Sequence, residues 1–257
     1  MHESVSRIYS QVYKSTRTLR RNPFRLADVF IWPMIFLFTL TFFAKYVGSE
    51  QTYINVIILG MMGWRMIYFP NLEMVSSFIE EHWSKSLAHL IISPITRLEF
   101  AIGAAISGFA KATFVILIYV LATNLLYGFT ISDLPVFILA IFFFALIGFS
   151  MGLFTLGFAY FNKEEAFNVA FIWPDVIVLL SGVYFSIETV YPSQILPLIR
   201  LLPSTQAFEL LKSTVGLGHP DIGLLVATTV IWLAAGYLFS GYMYGKAKRE
   251  GKLARLG

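Results

Sequence analysis

The sequence predicts an all-α integral membrane protein with six transmembrane helices, and three observations carry that prediction. Of its 257 residues, 57% are hydrophobic and only 13% charged, and the mean hydropathy is +0.72, a balance too apolar for a soluble domain. Six apolar windows fall at residues 28–48, 54–72, 102–127, 134–161, 167–187 and 222–243, each long enough for a helix to cross a hydrocarbon core. With the N-terminus inside, Arg7, Lys14, Arg17, Arg20, Arg21, Arg25, Lys85, Arg97, Lys163, Lys246, Lys248, Arg249, Lys252 and Arg255 share the cytoplasmic side, against Lys45, Arg200 and Lys212 outside; this is the positive-inside pattern. Both termini are basic, so the number of crossings is even. The absence of cysteine excludes disulfides and thiolate metal sites. The first apolar run begins only near Val29, behind a polar segment, so it reads as an anchor rather than a cleaved leader.

One domain is expected: an interfacial helix over 1–27, a membrane domain over 28–243 and a cytoplasmic tail over 244–257. Residues 4–21 place Val5, Ile8, Val12 and Leu19 near one helical face and the basic residues mostly elsewhere, the pattern of a helix lying on an anionic leaflet; a solvated basic tail is the alternative. Charge beside a first span is ordinary membrane patterning, so no nucleic-acid partner is expected. The first span opens with Phe30-Ile31-Trp32-Pro33 and the fifth with Phe171-Ile172-Trp173-Pro174. Each then carries an interfacial Trp and a proline kink, as a shared moving element or as two independent anchors.

Between spans two and three, residues 73–100 form the longest cytoplasmic loop. Ser76 or Ser77 is expected to cap a short helix with Glu81 four residues before Lys85. Trp83, Leu87, Leu90 and Ile91 give it an apolar edge, and Pro94 ends it. Such a helix suits either a groove on a partner or the membrane surface. Span four, rich in Phe and carrying Gly148, Gly152 and Gly157, reads as a packing helix, and Lys163-Glu164-Glu165 as a turn. From Phe171 to Lys212 a spanning segment gives way to an apolar stretch that Pro192, Pro197 and Pro203 cut into pieces too short to cross. Around Tyr191 and these prolines the backbone is expected to re-enter the outer interface and to pack on protein or line water. His2, His82, His89 and His219 are scattered and form no metal-ligand spacing.

Arg65, Lys111 and Asp175 fall inside predicted spans at similar depths; Lys111 and Asp175 lie about 13 Å from the inner ends. Charges there pair or face water. Asp175 is expected to pair with Lys111 or Arg65 at the Pro174 kink, near an inner gate that also takes in Trp32 and Pro33. Alternatively the cations snorkel and Asp175 satisfies backbone freed by the proline.

The string from Lys85 to Phe100, KSLAHLIISPITRLEF, resembles the cytoplasmic signature of ABC-2 type transporter permeases in Leu87, Ser93-Pro94 and Arg97-Leu98-Glu99. It departs from that signature at Lys85-Ser86 and His89. Ser181-Gly182-Val183-Tyr184-Phe185 and Leu201-Leu202-Pro203 resemble the segments that follow span five in the same family. The resemblance implies the membrane subunit of an exporter of drugs, lipids, lipo-oligosaccharides or polysaccharides in a prokaryotic cytoplasmic membrane. It also implies two copies of a separate ATPase and a second permease copy. The loop helix 77–90 would then couple to the ATPase, with Glu80, Glu81, Trp83, Lys85, Leu87 and Leu90 as contact residues. No segment fits the G-x-x-x-x-G-K-[ST] phosphate loop, so no cofactor is expected on this chain; ATP and Mg belong to the partner. A membrane-embedded enzyme acting on a lipid is the alternative, but no acid, base or metal cluster supports it.

Overall fold

A computed structural model describes residues 2–253, without the side chains of His2 and Glu164. Arg255 of the expected tail, and the side chains of His2 and Glu164, lie outside the described residues. The described residues form eleven helices and no strand. Each apolar window becomes a helix, in the order α1 (His2–Arg21), α2 (Pro23–Tyr46), α3 (Gln51–Trp83), α4 (Leu87–Ile92), α5 (Arg97–Tyr127), α6 (Leu134–Phe161), α7 (Lys163–Leu180), α8 (Ile187–Val190), α9 (Leu196–Arg200), α10 (Pro203–Ser213) and α11 (Ile222–Arg249). Four of them, α2, α5, α6 and α11, are long and apolar enough to cross a membrane. The long helices alternate in direction, so α1, the C-terminal end of α3 and the end of α11 share one end of the bundle, here the basic end.

Local chemistry sets the starts. Asn22 Oδ1 accepts from the backbone N–H groups of Phe24 and Arg25, with Pro23 beginning α2. Thr96 and Glu99 form a capping box at α5, and Asp133 and Asp221 cap α6 and α11.

α3 is the centre of the packing and touches α5, α6 and α7. Pro70 sits inside it, and its neighbours are shaped to it. A Cβ on Gly108 of α5 would lie 2.5 Å from the Pro70 Cα, and one on Gly148 of α6 would lie 2.7 Å from the Met66 carbonyl oxygen. Met66 is four residues before the proline, so its carbonyl is the one that Pro70 deprives of a helical donor. Only glycine allows these helices so close.

The loop helix differs from expectation. No cap forms at Ser76 or Ser77: α3 runs unbroken to Trp83 because Met74, Val75, Phe78 and Ile79 extend its buried face. What connects α3 to α5 is residues 84–96, holding the six-residue α4. Lys85 lies outside any helix with φ 58°, so the expected Glu81–Lys85 helical pair is absent; Glu81 pairs instead with Lys14 of α1. α7 ends at Leu180 rather than continuing to residue 187. Ser181 to Phe185 forms a turn in which Gly182 has φ 63°, a conformation glycine adopts without penalty. α11 runs to Arg249, so the first residues of the expected tail are helical.

Candidate functional site

The proline-broken region docks into the bundle. α10 buries Pro203 through Phe208, then Leu210 to Lys212, with the Phe208 ring centroid 4.5 Å from that of Phe144 of α6 in a tilted contact. Lys212 is the pin: its Nζ donates to the carbonyls of Gly182 at 2.5 Å and Phe185 at 3.0 Å and pairs with Glu209 at 3.1 Å. The ammonium thereby caps the turn that α7 leaves behind, and its buried charge is met by three oxygens. Tyr191 Oη donates to the Leu179 carbonyl at 2.8 Å. Pro203 opens α10 and is buried, whereas Pro192 and Pro197 stay exposed.

At the basic end, acids on the last turns of α3 hold cations from three other helices. Glu73 takes Lys111 of α5 at 2.5 Å, Glu80 takes Arg25 of α2, and Glu81 takes Lys14 of α1 and the hydroxyl of Ser86. Arg7 of α1 donates twice to Glu99 of α5, at 3.0 and 2.8 Å. Arg97 lies over the Tyr237 ring of α11, 4.7 Å from its centroid. The Arg97-Leu98-Glu99 motif therefore fastens α5 to the helices on either side of it. Beyond these contacts Trp83 is 65% and Ile92 79% exposed, while Leu87 is buried. The exposed apolar surface at this end is therefore Trp83 and the outer side of α4, not Leu87.

Between α2, α3 and α7 lies a cavity of about 410 Å³, and Trp32, Arg65, Lys111 and Asp175 all line it. The charges that sequence depth grouped together are thus gathered in one place, but they pair differently from expectation. Lys111 pairs with Glu73, and no ion pair among the described residues includes Asp175 or Arg65. Arg65 is buried; its Nε donates to Tyr119 Oη at 3.2 Å, and that hydroxyl donates to the Pro33 carbonyl at 2.8 Å. Its guanidinium lies 4.3 Å from the Trp64 ring centroid, a cation–π geometry.

The backbone freed at Pro174 is satisfied by Asn71, not by Asp175. Ala170 is four residues before Pro174, and Asn71 Nδ2 donates to its carbonyl at 2.8 Å. Thr155 Oγ1 donates in turn to Asn71 Oδ1 at 2.5 Å. Sequence reasoning missed Asn71, Glu73, Tyr119 and Lys212. Asn71 and Glu73 carried a readable signal, standing six and eight residues after Arg65 as polar groups in a continuing apolar period. Among the described residues no cluster of three metal-binding side chains occurs.

The sequence model of the ABC-2 type transporter family matches residues 7–215, from α1 through α10. The chain belongs to that family and is a membrane permease component of an ABC transporter. A comparison with curated proteins finds no match.

Proposed function

We propose that this permease is the six-crossing membrane half of an ATP-driven exporter that moves an amphiphilic or lipid-linked molecule outward across a cytoplasmic membrane. It would work as one of two permease copies with two copies of a separate ATPase, its termini on the ATPase side. The family match across α1 to α10 carries the reading, and the position of the cavity supports it. α3 and α7, the two helices beyond the four apolar ones, cross in this reading with Arg65, Glu73 and Asp175 facing the cavity, as intramembrane charges require.

Force from the ATPase enters at Trp83 and α4. α3 is one continuous rod from there to the cavity, and Glu80 and Glu73 hand its movement to α2 and α5 through Arg25 and Lys111. The prolines at 33 and 174 mark where α2 and α7 bend. Tilting of these two helices against α3 changes the cavity between them, a hinge motion biased by a ligand bound elsewhere. Inside-out vesicles carrying the permease and its ATPase test the direction. A fluorescent amphiphile accumulates in them only with ATP if the reading holds; accumulation without ATP, or only in right-side-out vesicles, contradicts it.

A further inference from the structure

Three cations line the cavity, and two are neutralised within the chain: Arg25 by Glu80 and Lys111 by Glu73. Arg65 is not. It is 4% exposed, it stands in no ion pair among the described residues, and its one hydrogen bond is through Nε to a neutral phenol. A buried cation with no counter-charge in ion-pair contact is costly; the Asp175 carboxylate acts on Arg65 only across the cavity, so an anionic group entering beside Arg65 is favoured. The two terminal nitrogens of a guanidinium form a fork that suits a phosphate. Beside it the Trp64 Nε1 is a buried donor with no partner, and buried polar groups ordinarily have one.

The rim has the opposite sign. Asp28 and Asp175 line the same cavity, are exposed, and stand in no ion pair among the described residues. A plain anion would have to pass two carboxylates. A head group carrying an oxyanion and an amine meets complementary charge on both, and Trp32 and Phe171 line the same cavity with aromatic faces that suit an amine. Next in sequence to the lining residues, Ile31 and Ile35 of α2 and Ile172 and Val176 of α7 are exposed and apolar, a surface suited to acyl chains.

We propose that the cavity binds the head of a zwitterionic phospholipid-like amphiphile, its phosphate on Arg65 and Trp64 and its ammonium between Asp28 and Asp175. Naming this molecule as cargo rests on the transport reading; binding itself does not, so the test uses the full chain alone in detergent. The protein is equilibrated with equimolar phosphatidylethanolamine, phosphatidylglycerol, phosphatidic acid and a phosphate-free dialkylammonium lipid, and the retained lipids are weighed by mass spectrometry.

Phosphatidylethanolamine is expected to be enriched roughly tenfold over phosphatidylglycerol, the ratio that one charged hydrogen bond supplies. Arg65→Gln loses both phospholipids by about the same factor. The double variant Asp28→Asn, Asp175→Asn keeps both but loses the preference between them. Glycerophosphoethanolamine competes with the bound lipid, whereas inorganic phosphate at the same concentration does not, which separates a lipid head from a free phosphate site. Where Arg65→Gln does not fold, Arg65→Lys is read instead: several-fold weaker retention supports the site, and unchanged retention overturns it. Equal retention of all four lipids, preference for the dialkylammonium lipid, or displacement by inorganic phosphate alone also overturns it. A chain that fails these binding tests yet assembles with an ATPase overturns this inference and leaves the transport reading standing.

Discussion

The two ends of the bundle are held together by opposite means. At the basic end, α1, α2 and α5 attach to α3, and α1 to α5, through side-chain ion pairs: Lys14–Glu81, Arg25–Glu80, Lys111–Glu73 and Arg7–Glu99. At the other end, α10 is sunk among α3, α6 and α11 by apolar packing, and its one buried charge, Lys212, is spent on backbone carbonyls. Three of these pairs, Lys14–Glu81, Arg25–Glu80 and Arg7–Glu99, have a partly exposed cation, and such pairs contribute little each and re-form readily after a shift; Lys111–Glu73 alone is largely buried. A buried lysine held by three oxygens has no alternative partner. The difference teaches where movement is permitted: the basic end is clipped, and the opposite end is pinned.

Substitutions sharpen this contrast in a definite order. Lys212→Met is expected to be the most damaging. It leaves Glu209 and two carbonyls without their donor and costs about 3–5 kcal/mol, read as a large drop in the detergent unfolding midpoint; an unchanged midpoint would make the pinned end no different from the clipped one. Asn71→Leu comes next. It orphans the Ala170 carbonyl at the Pro174 bend and costs on the order of 1–3 kcal/mol, while also lowering transport if that bend moves. Arg7→Ala is milder, because solvent screens this pair. Its signature is faster hydrogen exchange confined to α1, reproduced in the unsubstituted protein by high salt.

The smallest effect is expected at the exposed pair between α8 and α9. Arg200, and then Ser186, bond the Glu188 carboxylate and hold its pKa below the usual carboxylate value. A depressed folded pKa means that the stabilisation is present above the unfolded value and is lost as pH falls through the folded one. For a pair this exposed it amounts to ~0–1 kcal/mol. Glu188→Gln should therefore flatten a slight acid-side decline in stability, lowering the neutral-pH stability by no more than that small amount and leaving the acid limit unchanged. A large neutral-pH effect would show that α8 and α9 are held more firmly than their exposure implies.

Much of the fold was legible because apolar runs and prolines act locally. The windows gave the long helices, and the prolines gave the breaks before α10. What stayed hidden depends on azimuth and on partners far away in sequence. Depth along a helix put Arg65, Lys111 and Asp175 at one level, and the cavity does collect them. Depth says nothing about which way a side chain turns, and Lys111 turned to Glu73, a residue the sequence placed in a loop. Ser76 and Ser77 looked like caps because Ser favours that position. A cap exists only where a helix stops, and the apolar face of Met74, Val75, Phe78 and Ile79 carried α3 past them. Lys212 read as one of a few outer charges, since nothing local reveals that the Gly182 turn leaves carbonyls facing it.

The central claim, that this permease receives its energy from a separate ATPase at Trp83 and α4, is tested most directly by the mass of the detergent-solubilised complex. The permease is co-expressed with its ATPase as the unsubstituted chain and as the double variant Trp83→Asp, Ile92→Asp, both positions being exposed and so harmless to folding. Two permeases with two ATPases for the former, and a folded permease without ATPase for the latter, are the predicted masses. An unsubstituted chain that binds no ATPase, or a variant that still assembles fully, would contradict it.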